Sequence, residues 1–416
     1  MIPTNVTHGP YYAPEAYRER YGRPDLPPDV ENFFAAMLNL DDNIGRLLDF
    51  LDHAGLAENT IVVFMTDNGV TMGYNILLPE MRHFNAGMKG MKTQLMEGGH
   101  RVPLFVRWPG GDFRMPSDVD GLAQAQDLTP TLLDLAGVEA PPEASFDGIS
   151  LAPVLRGEQA ELPDRKLVVQ FQRKRRIDKF DACVMWGPWR LVNAVDVVPG
   201  ASAERREEVM ERRRNDWEIK LELYHIEYDP HQDNDVSAVY PEVVDAMKAH
   251  YEQWWESVQR EIEREQRIHV GNDAENPIRL DASSWDEVYF TSKGLVLEGA
   301  RRSGTWRVWV DEPGTYRFSL RRWPKETGVP IAGSAVYERH DPGKLEAREV
   351  GTALPITGAR LKIDGMMDDR APVGPTETEA VFEVDLEPGP AAIKTWFLNE
   401  DGRWLCGAYY LEVERL

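Results

Sequence analysis

The sequence predicts an α/β fold followed by a β-sandwich, and three patterns carry that prediction. Between Glu31 and Ala54, apolar residues recur every three or four positions, and the apolar strand Ile61–Met65 follows after a short loop. From about residue 165 to about residue 265, short strand-like segments precede one long helix. Beyond about residue 270, short alternating segments are separated by turns rich in glycine and proline, which is typical of a β-sandwich.

The first part of the chain alternates helices with strands. Gly55 ends the first long helix, as glycine commonly does at a helix carboxyl terminus. Pro103–Trp108 is predicted to be a second buried strand. Thr129 then caps a short helix that ends at Gly137. A helix followed by a strand, repeated, is the order of an α/β domain.

The middle part is predicted to be a small antiparallel sheet with one long helix. Strand-like segments lie at 167–171, 182–186 and 189–193, and a charged helix near 203–220 precedes a further strand, Leu221–Ile226. Pro241 begins the long helix. Its apolar side includes Val244, Met247, Tyr251, Trp254, Val258 and Ile262. We expect Tyr251, Trp254 and Trp255 to be core residues rather than a sugar-binding platform, with Trp255 the most exposed of the three.

The last part is predicted to be the sandwich. Its alternating segments are Trp306–Val310, Thr315–Leu320, Arg360–Ile363, Ala380–Val384, Ile393–Phe397 and Tyr409–Val413. The groups Arg301-Arg302 and Arg321-Arg322-Trp323 in this part are expected to form a solvated face, with contact to a sulfated glycan as the alternative. We therefore expect three domains, at residues 1–160, 161–268 and 269–416.

Composition narrows the classes of function. The chain has 416 residues and a net charge of −23, which argues against a general nucleic-acid or membrane-surface binder. Its two cysteines, Cys183 and Cys406, allow one disulfide at most and lack metal-site spacing. No apolar run approaches the length of a membrane span. Met1–Asn5 carries no secretory signal pattern.

The tetrapeptide Thr66-Asp67-Asn68-Gly69 is the most informative feature of the sequence. It directly follows the apolar strand, so an acid and an amide lie at the carboxyl edge of a predicted sheet, where open α/β folds place their chemistry. Carboxylate and amide oxygens are the ligands that calcium and magnesium prefer. The alternative is a turn in which Asp-Asn-Gly simply reverses the chain.

Several stretches together resemble the sulfatase family, whose members have an alkaline-phosphatase-like fold. The resemblance covers roughly residues 1–260, and the order and spacing of the stretches make it specific. The matching stretches are Asn5–Pro14, Thr66–Gly69, Lys92–Pro103, Arg107–Gly110, Asp127–Thr131, Phe146–Leu151, Glu222–Tyr224 and Asp229–Pro230. The resemblance implies a core built on a parallel sheet. The carboxyl-terminal β-domain looks like an accessory domain of some bacterial arylsulfatase-like proteins.

The resemblance implies roles for four residues. Asp67 and Asn68 would hold Ca²⁺ or Mg²⁺, which would neutralise a sulfate ester and polarise its S–O bonds. Lys92 would contact the sulfate, and counting back from the Glu-Gly-Gly stretch selects it over Lys89. His8 would hydrogen-bond the ester oxygen or act as a general acid, the alternative being an exposed turn residue.

Other residues near these motifs have weaker assignments. His83, Asn85 and His100 are candidates for lining the substrate pocket, with a structural role as the alternative for each. Glu97 and Arg101 are expected to brace the loop that carries Lys92. The substrate implied is a sulfate ester, either an aryl sulfate or a sulfated carbohydrate.

One part of the family pattern does not occur in this sequence. The family carries an aspartate pair for the metal and a Cys-x-Pro-Ser-Arg segment whose cysteine is oxidised to formylglycine, the nucleophile. Here Val-Met-Trp follows Cys183 and Gly-Ala-Tyr follows Cys406. We therefore expect this sequence to be the carboxyl-terminal part of a sulfatase, truncated or split from a separately encoded amino-terminal half. The isolated chain is then expected to be inactive, poorly stable and only partly able to ligate its metal.

Two other functions remain open at this stage. The chain could be a non-catalytic remnant whose β-sandwich binds a glycan or a partner. It could also be a phosphatase or phosphonate hydrolase of the same superfamily, although Lys92–Pro103 fits the sulfatases better. A periplasmic or secreted location follows only if a signal peptide lies in the missing half.

Overall fold

The computed structural model describes residues 1–9, 11–70, 85–171, 179, 181–193, 221–263, 265–286, 288, 290, 293–339 and 347–416. Two compact units are present, one of Met1–Gln172 with Ile177–Glu261 and one that contains Ile262–Leu416. The predicted helix near 203–220 and the candidate His83 lie outside the described residues. Within the described residues, no helix combines the length and the apolar character that crossing a membrane requires.

Helices and short strands alternate in the first unit. The helices are α1 (Glu15–Tyr21), α2 (Pro28–His53), α3 (Glu97–His100), α4 (Leu128–Ala136), α5 (Ala152–Arg156) and α6 (Pro241–Glu263). The strands are β1 (Val62–Met65), β2 (Leu104–Arg107), β3 (Lys166–Gln170), β4 (Ala182–Trp186), β5 (Trp189–Asn193) and β6 (Glu222–His225).

Helix α2 forms where the apolar periodicity predicts it. Pro28 begins it, and Gly55 follows its last turn with a φ of +67°, a left-handed conformation that glycine adopts without a Cβ clash. Its first turns are buried at Val30, Phe33, Ala35 and Ala36, and Ala35 and Ala36 pack with Ala13. Its later apolar residues stay partly or fully exposed, Phe50 among them.

Strands β1 and β2 pair antiparallel, with Val62 opposite Arg107 and Met65 opposite Leu104. The parallel pairing expected of the core is therefore not formed by these two strands. The expectation that Pro103–Trp108 is a buried strand is also wrong. Burial alternates along β2, and Phe105 is 65% exposed. Successive strand residues point to opposite faces, and only one face of β2 is covered in the described structure.

The predicted antiparallel subdomain is present. Its sheet has the order β3-β4-β5-β6, and each neighbouring pair is antiparallel. One face packs on α6, where Leu223, Met247 and Tyr251 are fully buried and Trp254 packs against them. This confirms the long-helix aromatics as core residues. The other face buries Leu167, Cys183, Met185, Val192 and Tyr224 around Leu95.

The second unit is a β-sandwich. Its elements are β7 (Ile268–Val270), β8 (Ile278–Asp281), α7 (Lys293–Glu298), β9 (Thr305–Val310), β10 (Gly314–Arg321), β11 (Val336–Arg339), β12 (Ala347–Val350), β13 (Gly358–Ile363), β14 (Met367–Pro372), β15 (Ala380–Leu386), β16 (Gly389–Leu398), β17 (Trp404–Cys406) and β18 (Tyr410–Arg415). One main sheet has the order β14-β13-β16-β9-β7, and the other has the order β15-β10-β18-β8. A single apolar cluster contains residues of both sheets, so they pack face to face.

The two arginines at the end of β10 are a correction to the sequence analysis. Arg321 and Arg322 were expected to face solvent or a glycan, but both are buried. Arg322 donates to the main-chain oxygens of Gly333 and Thr352, and its guanidinium lies 4.4 Å from the Trp323 ring centroid. Arg321 pairs with Glu379. Arg322 therefore satisfies buried main-chain carbonyl groups, and Arg321 is neutralised by a carboxylate.

Candidate functional site

The two motifs singled out in the sequence meet through main-chain hydrogen bonds. The Gly69 amide donates to Gly99 O at 2.9 Å, and the Lys92 amide donates to Val70 O at 3.1 Å. We call residues 85–101 the lysine loop. Because these bonds lie immediately after Asp67 and Asn68, the structure brings the acid–amide pair and the lysine loop to one place at the end of β1.

Glycine is required where the two motifs touch. A Cβ at Gly69 would lie 2.0 Å from Gly98 O, and a Cβ at Gly99 would lie 2.0 Å from Gln94 O. Such distances exclude any side chain, so the Gly69 position and the Glu-Gly-Gly stretch are explained by close backbone approach.

Asp67 and Asn68 present oxygen atoms that suit a hard cation. Asp67 is exposed, and the Asn68 amide nitrogen donates to Gly69 O at 2.9 Å, which leaves Asn68 Oδ1 for another partner. The Thr66 hydroxyl donates to Asn68 O and holds the turn. The described residues contain no group of three His, Cys, Asp or Glu side chains able to hold a metal. Calcium takes six to eight oxygens, so the pair alone does not complete a site.

The structure separates Lys89 from Lys92. Lys89 Nζ donates to Gln232 O at 3.0 Å and lies 3.4 Å from Asp233 Oδ1. Lys92 is half-buried, and no residue of the described structure accepts a hydrogen bond from its ammonium or pairs with it. Lys89 is thus committed to the protein, whereas Lys92 has no such partner among the described residues.

Glu97 braces the lysine loop from inside. Its buried carboxylate accepts a hydrogen bond from Arg190 Nε on β5 at 2.6 Å and lies 3.5 Å from Arg101 Nη1. Leu95, two residues earlier, packs into the face of the antiparallel sheet. The loop is therefore held by an ion pair and an apolar anchor to a sheet that lies about ninety residues further along the chain.

His100 is enclosed beside this carboxylate. Its Nε2 lies 3.8 Å from Glu97 Oε1 and makes no hydrogen bond to any described residue. Burial lowers the pKa of His100 below its usual value, and Arg190 and Arg101 act in the same direction while Glu97 opposes them. Asn85 donates to Met88 O and Gly90 O, so its amide closes the start of the loop.

The structure does not join His8 to this group. His8 is exposed in the segment before α1, and its Nδ1 lies 2.7 Å from Gly9 O. Within the described residues, no hydrogen bond or ion pair connects it to Asp67, Asn68 or Lys92. Its predicted role as a general acid stays a prediction.

A pocket of about 200 Å³ opens beside the lysine loop. It is lined by Ala86, Met88, Glu97, Arg101, Ile226 and Pro230. Its wall is largely apolar, and its charged groups are the buried Glu97 carboxylate and the exposed Arg101 guanidinium. Of the predicted substrate-contacting residues that the structure describes, none lines it.

Asp127, in the stretch that resembles the sulfatases, is structural. Arg165 donates to both of its oxygens, at 2.9 and 2.5 Å, and the amides of Gln124 and Ile149 donate as well. Burial opposes ionisation of Asp127, but these donors outweigh it and lower the pKa. The carboxylate thereby fixes the start of α4 to the 147–151 segment.

Neither cysteine is placed to act as a nucleophile. Cys183 lies on β4 and Cys406 on β17, and both are fully buried. Burial raises the pKa of Cys183 to about 12 and that of Cys406 to about 11, so both thiols stay protonated near neutral pH.

Two functional neighbours escaped the sequence analysis. Arg190 and Gln232 both contact Glu97, the latter by accepting a hydrogen bond from its main-chain amide at 2.8 Å. Neither residue belongs to the sequence stretches that surround Lys92. The Asp229-Pro230 stretch was the available signal, because it marks the turn that positions Gln232.

Comparison with known proteins assigns the amino-terminal segment to a class. Residues 1–138 match the family model described as Sulfatase. This agrees with the meeting of the Asp67–Asn68 pair and the lysine loop at one strand end. The mixed α/β architecture predicted from the sequence is confirmed.

Particular relatives are similar to part of this chain. The chain is 32% identical over 155 residues to the uncharacterized sulfatase YdeN of Escherichia coli K12, covering 37% of this chain and 26% of that protein. It is 33% identical over 168 residues to human N-acetylgalactosamine-6-sulfatase, covering 39% and 29% of the two chains. Human arylsulfatase A is 35% identical over 156 residues, covering 36% and 27%. The matches thus span less than a third of the relatives' length.

Solved structures give a more distant likeness. The crystal structure of Ps i-CgsB is 24% identical, with a TM-score of 0.46 over 60% of this chain and 48% of that one. The structure of BT4656 in complex with its substrate D-glucosamine-2-N,6-O-disulfate is 22% identical, with a TM-score of 0.39 over 59% and 46% of the two chains.

Proposed function

We propose that this protein is a sulfuric ester hydrolase of the arylsulfatase type and that the 416-residue chain supplies only part of its active site. In this proposal Lys92 binds the sulfate group, and Asp67 and Asn68 contribute two ligands to Ca²⁺ or Mg²⁺. His8 hydrogen-bonds the ester oxygen. When bound, the divalent ion would neutralise charge on the sulfate oxygens.

One observation carries the proposal. The main-chain bonds from Gly69 to Gly99 and from Lys92 to Val70 join the residues that follow Asp67 and Asn68 to the loop that carries Lys92, which supports a shared site. A lysine ammonium next to oxygen ligands for a metal cation suits an anion whose negative charge is spread over several oxygens. A sulfate ester carries one negative charge, which its non-bridging oxygens share.

The substrate class is a sulfated carbohydrate or an aryl sulfate. Relatives that match part of this chain are named N-acetylgalactosamine-6-sulfatase, N-acetylglucosamine-6-O-sulfatase and arylsulfatase A. We extend this class to the present chain on these similarities and on the match of residues 1–138 to the Sulfatase model, with the particular ester left to experiment.

The proposal also holds that the chain alone does not turn over substrate. Its sequence contains no Cys-x-Pro-Ser-Arg segment, and its two cysteines are buried and protonated. A segment with that motif, in the same or another polypeptide, would supply the formylglycine nucleophile and the remaining metal ligands. We expect Ca²⁺ to bind the isolated chain with a dissociation constant of about 1 mM or weaker.

The direct test uses the purified chain with sulfate, calcium chloride and 4-nitrophenyl sulfate. We expect Lys92→Met to abolish sulfate binding measured by titration calorimetry, and Asp67→Ala to weaken calcium binding. The matched controls are Lys394→Met on the outer side of β16 and Asp120→Ala on an exposed loop, both of which should bind as the unchanged chain does.

Three outcomes would count against parts of the proposal. Hydrolysis of 4-nitrophenyl sulfate by the chain alone, above the buffer rate, would overturn its inactivity. Equal sulfate binding by the unchanged chain and Lys92→Met would remove the anion site. Inorganic phosphate bound in preference to sulfate would favour the phosphatase reading instead.

A further inference from the structure

We propose that Gln232, in the turn after β6, is a positioning residue that fixes the lysine loop and so determines where the Lys92 ammonium lies. The inference rests on the proposed function of Lys92 as an anion ligand. It concerns a residue in another part of the chain, and its main measurement does not depend on anion binding.

Gln232 binds the lysine loop on both sides of Lys92, and we call these two sides the stems of the loop. Lys89 Nζ donates to the main-chain oxygen of Gln232 at 3.0 Å, and the Glu97 amide donates to Gln232 Oε1 at 2.8 Å. Lys89 and Glu97 lie on either side of Lys92, and the Gly98 amide donates to Lys89 O at 2.8 Å, which closes the loop. Gln232 therefore holds both ends of the segment that carries Lys92.

The conformation of Gln232 is costly and needs a reason. Its φ is +54°, in the left-handed region, and its side chain is fully buried. A non-glycine residue held in that region is strained and persists where its surroundings over-determine it. The Gln232 amide donates to Asp229 O, and the Asn234 amide donates to Asp229 Oδ2, so the turn is fixed from both sides.

The other end of the loop is fixed at the strand. Because the Lys92 amide donates to Val70 O, the loop spans from the Gln232 turn to the end of β1. The buried Arg190–Glu97 pair restrains the same stem. A shift of the stem would move Lys92 relative to Asp67 and Asn68, and displacements of about 1 Å can change catalytic efficiency by about a hundredfold.

The test is Gln232→Met, which keeps the length of the side chain and removes the acceptor. We expect amide hydrogen exchange at Lys92, Glu97 and Gly98 to become about tenfold faster or more, while amides of β4 and β5 keep their rates. We also expect the dissociation constant for inorganic sulfate to rise about tenfold. Gln253→Met, on the exposed side of α6, is the matched control and should change neither.

A second variant guards against misfolding of the first. Lys89→Met leaves Gln232 in place and removes one of the two stem contacts, and we expect faster exchange confined to Met88–Gln94. The inference is overturned if hydrogen exchange in the lysine loop is unchanged in Lys89→Met and is also unchanged, or cannot be measured, in Gln232→Met.

The remaining outcomes separate this inference from the proposed function. Acceleration spread evenly over β3–β6 in Gln232→Met would show a general stabilising role and overturn positioning. Faster exchange confined to the loop, in a chain that does not bind sulfate even when unchanged, would support positioning by Gln232 and refute the anion site.

Discussion

The β-sandwich and the amino-terminal region with α2 and β1–β2 contain comparable apolar patterns but bury them to different degrees. In the sandwich, one apolar cluster includes residues of both sheets, and Trp306, Tyr316 and Phe318 are fully enclosed. Around α2, the buried cluster is small, and Phe50 and Phe105 are exposed. An apolar stripe therefore becomes a core only where a second layer of structure covers it.

The largest effect that would sharpen this comparison is expected in the sandwich. Trp306→Ala removes a side chain with 0% exposure from β9 and should lower the free energy of unfolding by about 3–5 kcal/mol. Trp309→Ala, on the same strand but 41% exposed, should cost less than about 1 kcal/mol. The free energy of unfolding of each variant can be measured in urea, with hydrogen exchange in residues 347–416 as the probe. Equal losses of stability in the two variants would contradict the assigned core.

The next effect concerns two arginines that contact the same carboxylate. Arg190 is 5% exposed and Arg101 is 63% exposed, and each approaches Glu97. Arg190→Met removes the buried partner of the Glu97 carboxylate, leaves the exposed Arg101 as its remaining arginine partner, and should lower the stability of the first unit by about 3 kcal/mol. Arg101→Met removes a solvent-screened pair and should cost at most about 1 kcal/mol. Thermal unfolding of the two variants, measured side by side, tests this order of stability losses. A larger loss in Arg101→Met than in Arg190→Met would refute the role of the buried Arg190–Glu97 pair.

A smaller effect is expected from pH. The pKa of His100 in the folded chain lies below its ordinary value of 6.5. The unfolded chain therefore binds more protons than the folded chain as the pH falls below that value. The stability associated with neutral His100 is therefore present above about pH 6.5 and is lost on acidification. His100→Gln should reduce the pH dependence of the melting temperature between about pH 7.5 and about pH 5.5. The exposed His53→Gln serves as the control, and a similar reduction in it would contradict the assignment.

The smallest effect is expected at the incompletely covered pair β1–β2. Phe105→Ser should change the free energy of unfolding by no more than about 0.5 kcal/mol, because the ring is mostly in solvent. Phe318→Ser, on the enclosed face of β10, should be strongly destabilising. A loss for Phe105→Ser approaching that of Phe318→Ser would show that β2 is covered in solution, and would break the comparison from which the predictions start.

Much of the fold could be predicted because local patterns decide it. The helix predicted between Glu31 and Ala54 forms as α2, and the alternating segments after residue 270 form strands. Predictions that depended on long-range packing fared differently. The strand at Pro103–Trp108 is half-exposed, and Arg321 and Arg322 are buried, because exposure depends on which layer covers a face and alternation alone does not specify that layer.

The site divides in the same way. The sequence alone determined that Asp67 and Asn68 end a strand, that Lys92 precedes a Glu-Gly-Gly stretch, and that the chain resembles a sulfatase, because these are properties of neighbouring residues. Only the tertiary structure decided that the two motifs touch through Gly69 and Gly99, and that Gln232 and Arg190 hold the lysine loop. Residues more than ninety positions apart meet through burial and hydrogen bonding, and local sequence patterns carry no record of those contacts.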